Sequence, residues 1–289
     1  MEKSKELNNL ISLSRDTGQE IAFVQGGGGN TSVKLSKTKM AIKSSGTCLK
    51  DMSISSGYSI VNYSELSDFI RKLSKNEKDF SIKINSYSDE NYPRPSIETG
   101  FHAILGKYVI HTHSVFVNTL TCAREGQSII KKLFPKFKWV NYATPGLDLM
   151  VEILYQAPSS SSKPGAIFLQ NHGLIVWADK VEIAYKIHEQ ISSSIIKEFD
   201  LDSFKFDPRK KYFPNQDKKE ILFPDQAVYT MAGDEILSSR GAQETLCSYN
   251  YILNSINKIG LSPLYLDESE AHKLLSMESE RYRQGLIKR

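Results

Sequence analysis

The sequence predicts an α/β fold, and three observations carry that prediction. Short runs in which every second residue is apolar alternate along the chain with longer runs in which apolar residues recur every three or four positions. Clusters of Gly, Pro, Asn and Ser punctuate the change from one kind of run to the other. The composition, 40% hydrophobic and 24% charged over 289 residues, is that of a chain able to bury a sizeable core.

Taken in order, the first element is a helix over residues 2–18, where Leu7, Leu10, Ile11 and Leu13 recur at helical spacing and Gly18 ends the run. Glu20 to Gln25 reads as a short strand entering the glycine turn Gly26 to Gly29, and Thr31 to Leu35 and Lys39 to Lys43 follow as paired strands. Tyr63 to Lys75 has helical spacing with Ser64 as its cap, while Phe80 to Pro95 is polar and turn-rich. A short helix is expected over Pro95 to Gly106, then a strand over Tyr108 to Ser114 running into a helix that ends near Ala123. Lys138 to Tyr142 is strand-like, Thr144-Pro145-Gly146 turns the chain, and Leu147 to Gln156 is helical. The serine-rich stretch Pro158 to Pro164 is a surface loop. Strands over Ala166 to Gln170 and Leu174 to Trp177 flank Asn171-His172-Gly173, and Asp179 to Phe199 is an amphipathic helix.

After Phe199 the texture changes. Asp200 to Glu220 is charged and contains proline, Leu222 to Met231 returns to strand character, and Glu244 to Ile259 and Asp267 to Leu286 are helical. This divides the chain into a main domain over residues 1–200 and a C-terminal helical extension over 201–289 packed on it, with no linker long enough to make the second part independent.

Composition narrows the function classes. No stretch approaches the roughly 20 apolar residues of a membrane span, and the first residues lack the apolar core of a secretion signal, so a cytoplasmic protein is expected. Cys48, Cys122 and Cys247 are too few and too widely spaced for a disulfide framework or a Cys-x-x-Cys metal knuckle, and are expected reduced and mostly buried. A net charge of +4 suits an anionic small substrate. The short basic clusters Arg209-Lys210-Lys211 and Lys218-Lys219 read as solvated surface, and no nucleic-acid partner is expected.

His111-Thr112-His113 is the most informative tripeptide. Alternation in a strand puts residues i and i+2 on one face, so both imidazoles can converge on one ion, although two half-buried, hydrogen-bonded histidines would have the same spacing. Of the remaining histidines, His172 alone sits in a sharp turn at a strand end, where a loop can bring it toward the pair, and Gly173 would permit the unusual backbone angles of that turn. His188 and His272 lie within helices and read as solvated or packing residues; His102 falls one helical turn after Glu98, on the same face, and either supports the site or packs.

The glycine run followed by Asn30-Thr31-Ser32 is neither a Walker loop, which needs Gly-Lys-Ser/Thr at its end, nor a dinucleotide fingerprint, which needs a small residue at position 31. It is a bare turn or an anion-lining loop. Lys43-Ser44-Ser45-Gly46-Thr47 brings a cation, hydroxyls and a glycine amide together in a second anion-ready element. Arg94, just before a helix N-terminus, is either a third donor or a surface arginine.

In order and spacing, Gly-Gly-Asn-Thr-Ser at 28–32, Ser-Gly at 45–46, Ser-Ile-Glu at 96–98 with His102, His-Thr-His at 111–113 and Asn-His-Gly at 171–173 resemble the class II aldolase/adducin family. Lys-x-Ser-Gly-Thr, Pro-Ser-Ile-Glu-Thr, Pro-Gly-Leu-Asp-Leu, Phe223-Pro224-Asp225 and the ending Glu280 to Gln284 are most similar to the aldolase half of bifunctional rhamnulose-1-phosphate aldolase/alcohol dehydrogenase proteins. That resemblance implies a three-layer α/β/α domain with a largely antiparallel central sheet, assembled as a homotetramer. It implies zinc, or another divalent transition metal, on His111, His113 and His172, with Glu98 as catalytic carboxylate. The phosphate-binding positions become Gly29, Asn30, Ser45, Gly46 and Ser96. Ile97 stands where simple sugar-phosphate aldolases of the family often have a second serine, so Lys43 or Arg94 is expected to substitute. No dinucleotide fingerprint is present, so reduction of an aldehyde product would need another protein.

The implied reaction is cleavage of a ketose 1-phosphate to dihydroxyacetone phosphate and an aldehyde through a metal-stabilised enediolate. The same constellation serves a sugar-acid-phosphate decarboxylase, epimerase or dehydratase, and a non-catalytic module like adducin shares the fold.

Overall fold

The computed structural model describes residues 2–72, 80–156, 163–213, 220–230 and 234–277. Seven strands form one sheet: β1 (Asn30–Lys34), β2 (Lys39–Lys43), β3 (Tyr58–Asn62), β4 (Tyr108–Thr112), β5 (Lys138–Val140), β6 (Gly165–Leu169) and β7 (Gly173–Ala178). Their order is β3-β2-β1-β4-β7-β6-β5, and every neighbouring pair is antiparallel except β5 with β6.

Alternation along the strands sorts their side chains onto two buried faces. On one, Met40, Ile42, Val109, Ile167, Leu169, Ile175 and Trp177 meet Leu66, Phe101, Leu149 and Ile153 from the helices Tyr63–Arg71, Thr99–Ile104 and Leu147–Gln156. On the other, Val33, Ala41, Tyr108 and Ile110 cover Leu10 and Leu13 of the helix Glu2–Gln19. Farther along that face, Ala166, Phe168, Leu174 and Val176 pack on the helices Val115–Thr121, Val181–Phe199 and Arg240–Lys258. The result is a helix, sheet, helix sandwich with a mostly antiparallel sheet, followed by C-terminal helices. Both faces carry apolar load, which is why β6 and β7 are apolar without a break from Ala166 to Leu169 and from Leu174 to Ala178.

Several local expectations change. Glu20 to Gln25 is not a strand: Phe23 and Val24 donate their amides to Glu20 O at 2.8 and 3.2 Å in a tight turn. β1, which follows this segment, already has β2 and β4 on its two sides and offers it no free edge. Leu222 to Met231 is helical over Pro224–Thr230, with the proline at the first helical position, where its missing amide costs nothing. The helix after β3 is capped by Asn62, whose side chain accepts from Glu65 N, rather than by Ser64. Phe80–Ser86 is a helix inside a stretch expected to be turn, anchored by fully buried Ile84. β3 and the helix Gly126–Leu133 were not anticipated.

The serine-rich loop lies largely outside the described residues, as do Lys218-Lys219, the last part of the final predicted helix and the motif at 280–284. The three cysteines are free, Cys122 and Cys247 buried and Cys48 partly so. Among the described residues no helix is long and apolar enough to cross a membrane.

Candidate metal centre

The site forms where the middle of the sheet ends. His111 is the penultimate residue of β4, paired across to Asn30 on one side and Ile175 on the other, and its ring stands edge-on to Phe101, 5.6 Å between centroids. His113 lies just past the strand end. His172 sits in the bend between β6 and β7. The left-handed position in that bend falls on Asn171, with φ 53°, a conformation asparagine tolerates better than most residues. Asn171 is fastened there by its side-chain amide, which donates to Leu222 O at 2.8 Å and Leu264 O at 2.6 Å. Gly173 is therefore required for a different reason from the one the sequence suggested: a Cβ there would lie 2.1 Å from Thr112 O, so only glycine lets the bend close onto the His-Thr-His strand.

The three rings surround one point, with centroids 4.9 Å apart for His111–His113, 4.9 Å for His111–His172 and 5.0 Å for His113–His172. One ligand nitrogen from each lies within 4.8 Å of the other two, and all three residues are buried. Hydrogen bonds on the far sides of two rings set their protonation. His111 donates Nδ1–H to Leu174 O at 3.1 Å, and His113 donates Nδ1–H to the carboxylate of Asp225 at 2.7 Å. In the neutral rings both Nε2 atoms are thereby left as bare lone pairs, and they face each other at 3.1 Å. Two such lone pairs repel unless a cation lies between them. Tetrahedral zinc, with bonds of about 2.0–2.1 Å, sets its ligand nitrogens roughly 3.3 Å apart, so the residues present fit a bound ion.

Glu98 completes the ring of groups. Its Oε2 is 3.4 Å from His111 Nε2 and its Oε1 is 3.4 Å from His172 Nε2. Asn30 donates to Oε2 at 2.7 Å, while Oε1 is buried with no hydrogen-bond partner. Asn30 is itself held by His102, which donates Nε2–H to Asn30 Oδ1 and accepts the Ser32 hydroxyl at Nδ1, 2.7 Å away. His102 thus supports the site through Asn30.

Burial pushes His111 down to about 4 and His172 down to about 3, so both rings are neutral near pH 7, the form that ligates metal. For Glu98, burial works upward and is outweighed by positive charge on His111, His172 and His113 and by the Asn30 hydrogen bond, which together hold it near 2. A cation at the point the rings surround would favour the ionised form of Glu98 in the same direction.

A cleft reaches His113 and His172 and is lined also by Gly27, Gly28, Gly29, Asn30, Lys43, Ser45, Gly46, Ser96, Ile97 and Glu98 and by Pro145, Pro224, Asp225 and Val228. Backbone bonds between Ser45 N and Arg94 O, 2.8 Å, and between Ser96 N and Lys43 O, 3.3 Å, bring the second anion-ready loop beside the Ser96–Glu98 segment. Of the positions the sequence singled out for phosphate, Gly29, Asn30, Lys43, Ser45, Gly46 and Ser96 line the cleft and Arg94 does not. Asn30's amide is directed at Glu98 and Ser96, and the Lys43 ammonium, buried, reaches Gly27 O at 2.6 Å. His188 packs under Phe23, and His272 is exposed.

Residues 8–195 match the model of the class II aldolase and adducin N-terminal domain. The chain belongs to the class II aldolase and adducin family. This class II aldolase-family chain is 27% identical to a Bacillus subtilis (strain 168) protein described as the uncharacterized oxidoreductase YuxG, over 94% of this chain and 44% of that protein, and so spans less than half of that relative. Among solved structures, the N-terminal class II aldolase domain of a conserved protein from Thermoplasma acidophilum is similar with a TM-score of 0.60 and 24% identity, covering 67% of this chain and 93% of that one. YgbL from Escherichia coli, described as a candidate aldolase/epimerase/decarboxylase, has a TM-score of 0.51 and 17% identity over 70% of this chain and 92% of its own. At these identities the structures show likeness of fold. Within it, the buried histidines could hold a metal ion.

Sequence reasoning missed the C-terminal wall. Glu244 accepts Gly26 N at 2.8 Å and Tyr229 OH accepts Gly27 N at 3.4 Å, so two amides of the glycine loop serve the packing of this wall. Gly26 and Gly28 leave room for it: a Cβ on Gly26 would meet Tyr229 Oη at 2.7 Å, and one on Gly28 would meet Asp225 Oδ2 at 2.7 Å. The one available signal was Phe223-Pro224-Asp225 itself, a proline and an acid in sequence where a helix begins.

Proposed function

We propose that the chain is a zinc-dependent aldolase that cleaves a ketose 1-phosphate to dihydroxyacetone phosphate and an aldehyde. The observation that carries this reading is the convergence of two bare imidazole nitrogens, a third imidazole and a buried carboxylate oxygen without a hydrogen-bond partner at the base of one cleft. His111, His113 and His172 would hold the ion. When bound, a divalent ion supplies Lewis acidity toward substrate oxygens, easing the negative charge left by carbon–carbon cleavage.

The chain's own residues divide the remaining work. Lys43, Ser45, Gly46, Gly29 and Ser96 present a cation, hydroxyls and amides at the cleft wall and hold the phosphate, with Lys43 in place of the hydroxyl that Ile97 lacks. Glu98 takes or gives the proton at the reacting carbon through Oε1, the oxygen Asn30 leaves unengaged. Asn30, steadied by His102, keeps the carboxylate aimed. Residues 1–200 supply these groups as the catalytic domain, and Pro224, Asp225 and Val228 of the C-terminal extension wall the cleft. Assembly into a homotetramer belongs to the same proposal and is read by analytical ultracentrifugation.

The test pairs Glu98→Gln with product identification. Metal-loaded protein is incubated with ketose 1-phosphates, and released aldehyde is trapped as a hydrazone. The wild type should yield aldehyde, and the variant should keep its metal while losing roughly 10²–10⁴-fold in turnover. Undiminished cleavage in the variant removes Glu98 from the chemistry. Release of carbon dioxide from a sugar-acid phosphate, an inverted centre or loss of water, with no aldehyde, replaces the aldolase reading by one of those reactions on the same groups.

A further inference from the structure

Asp225 lies outside the residues that match the family domain, in the first turn of the helix Pro224–Thr230, and its carboxylate oxygen is 2.7 Å from His113 Nδ1, both side chains being buried. A neutral imidazole has one N–H. With a carboxylate facing Nδ1, the proton resides there and Nε2 is bare. In the other tautomer, Nε2–H of His113 would point at His111 Nε2, 3.1 Å away, and donate to it. That bond would occupy both nitrogens at once and shut the centre against a cation. The acceptor on the far side of His113 decides which of these states is populated.

The surroundings hold Asp225 to that position. Leu222 N donates to Gln226 Oε1 at 2.7 Å, and Gln226 Nε2 donates to Glu220 O at 2.9 Å, pinning the start of the helix. Asn171, in the bend that carries His172, donates to Leu222 O at 2.8 Å, so one hydrogen bond ties the segment bearing Asp225 to the segment bearing the third imidazole. Gly28 keeps the gap open: a Cβ there would sit 2.7 Å from Asp225 Oδ2 and 2.9 Å from His113 Nδ1, wedged against both partners of the contact.

We infer that Asp225 is a positioning residue of the metal centre, which accepts the Nδ1 proton of His113 and so keeps His113 Nε2 and His111 Nε2 available to a divalent cation. This rests on the metal reading given above and adds that the centre is completed from outside the family domain. Carboxylate acceptors behind metal-bound histidines orient the ring and raise its basicity, and their loss weakens metal binding roughly 10- to 100-fold.

The experiment compares the full-length wild type with Asp225→Asn and Asp225→Ala. In metal-free protein, long-range ¹H–¹⁵N spectra of the histidine rings, assigned with a His113→Gln control, read the tautomer of His113 directly. The wild type should show Nδ1–H, and the variants a growing share of Nε2–H. Chelator competition with Zn²⁺ should give affinities roughly 10- to 100-fold weaker in the variants. Unfolding in EDTA shows whether each variant is folded, and a merely structural aspartate would change that reading without moving the tautomer. An Nε2–H tautomer in the wild type overturns the proposal even if neither variant folds. If the wild type binds one zinc through its histidines and Asp225→Ala, which has no acceptor, matches it in tautomer and affinity, the role of Asp225 alone is refuted. If the wild type binds no zinc, the metal reading falls and this proposal with it.

Discussion

Acid should destabilise this protein partly through a histidine that stands outside the cluster of His111, His113 and His172. His188, inside the helix Val181–Phe199, is fully buried, with Nε2 2.8 Å from Thr112 Oγ1, its ring edge-on to Phe23, and Nδ1 without a hydrogen-bond partner. Burial pushes its pKa from 6.5 down to about 4. Between those values the unfolded chain takes a proton that the folded chain refuses. The stability is therefore complete above pH 6.5 and is lost as the pH falls toward about 4. At pH 5 the loss from this one ring is on the order of 2 kcal/mol. The perturbation is His188→Gln, which removes the titration. Urea unfolding of both chains at pH 8 and pH 5, in EDTA, gives four free energies. The static cost of the substitution is common to both pH values, and the other buried histidines titrate alike in both chains, so each cancels in the double difference. The fall in stability from pH 8 to pH 5 should be smaller in the variant by about 2 kcal/mol. Equal falls in the two chains would show that this ring is not held neutral by burial.

Two further outcomes follow from the same geometry. Gly173→Ala places a Cβ 2.1 Å from Thr112 O and must push β7 from β4 beside the three histidines, so denaturant unfolding should show a loss of about 1–3 kcal/mol or more and, on the proposed metal reading, chelator competition a weaker zinc affinity. Zinc at about 100 times its dissociation constant should stabilise the wild type by about 2.7 kcal/mol relative to the EDTA-treated protein, measured at fixed protein concentration, and a His172→Ala chain should gain far less.

The site and the fold were legible to different depths. β2 and the helix Leu147–Gln156 matched the sequence reading residue for residue, because apolar periodicity there is bounded by turn residues on both sides. The three histidines were legible as a candidate group because His-x-His on a strand puts two rings on one face and Asn-His-Gly at a strand end marks a turn, whereas the convergence of the three rings is tertiary. Gly173 shows the limit: its presence was noticed, but its cause, a close approach to Thr112 across the sheet, is a tertiary contact that no local pattern encodes. Leu222 to Met231 differs from the expectation because an apolar run of that length fits either period, and Pro224 at the first helical position decides for the helix. Asp225 and Glu244 reach the site from more than 100 and 200 residues away along the chain, and a lone acid in a charged C-terminal region carries no mark of such a partner.

The most direct measurement is X-ray absorption at the zinc edge on protein loaded with one equivalent of zinc. Ligation by His111, His113 and His172 predicts a first shell of nitrogen and oxygen at about 2.0–2.1 Å with outer-shell scattering from three imidazoles, falling to two in His172→Ala. A shell containing sulfur, an imidazole count unchanged by that substitution, or no zinc retained after gel filtration would contradict it.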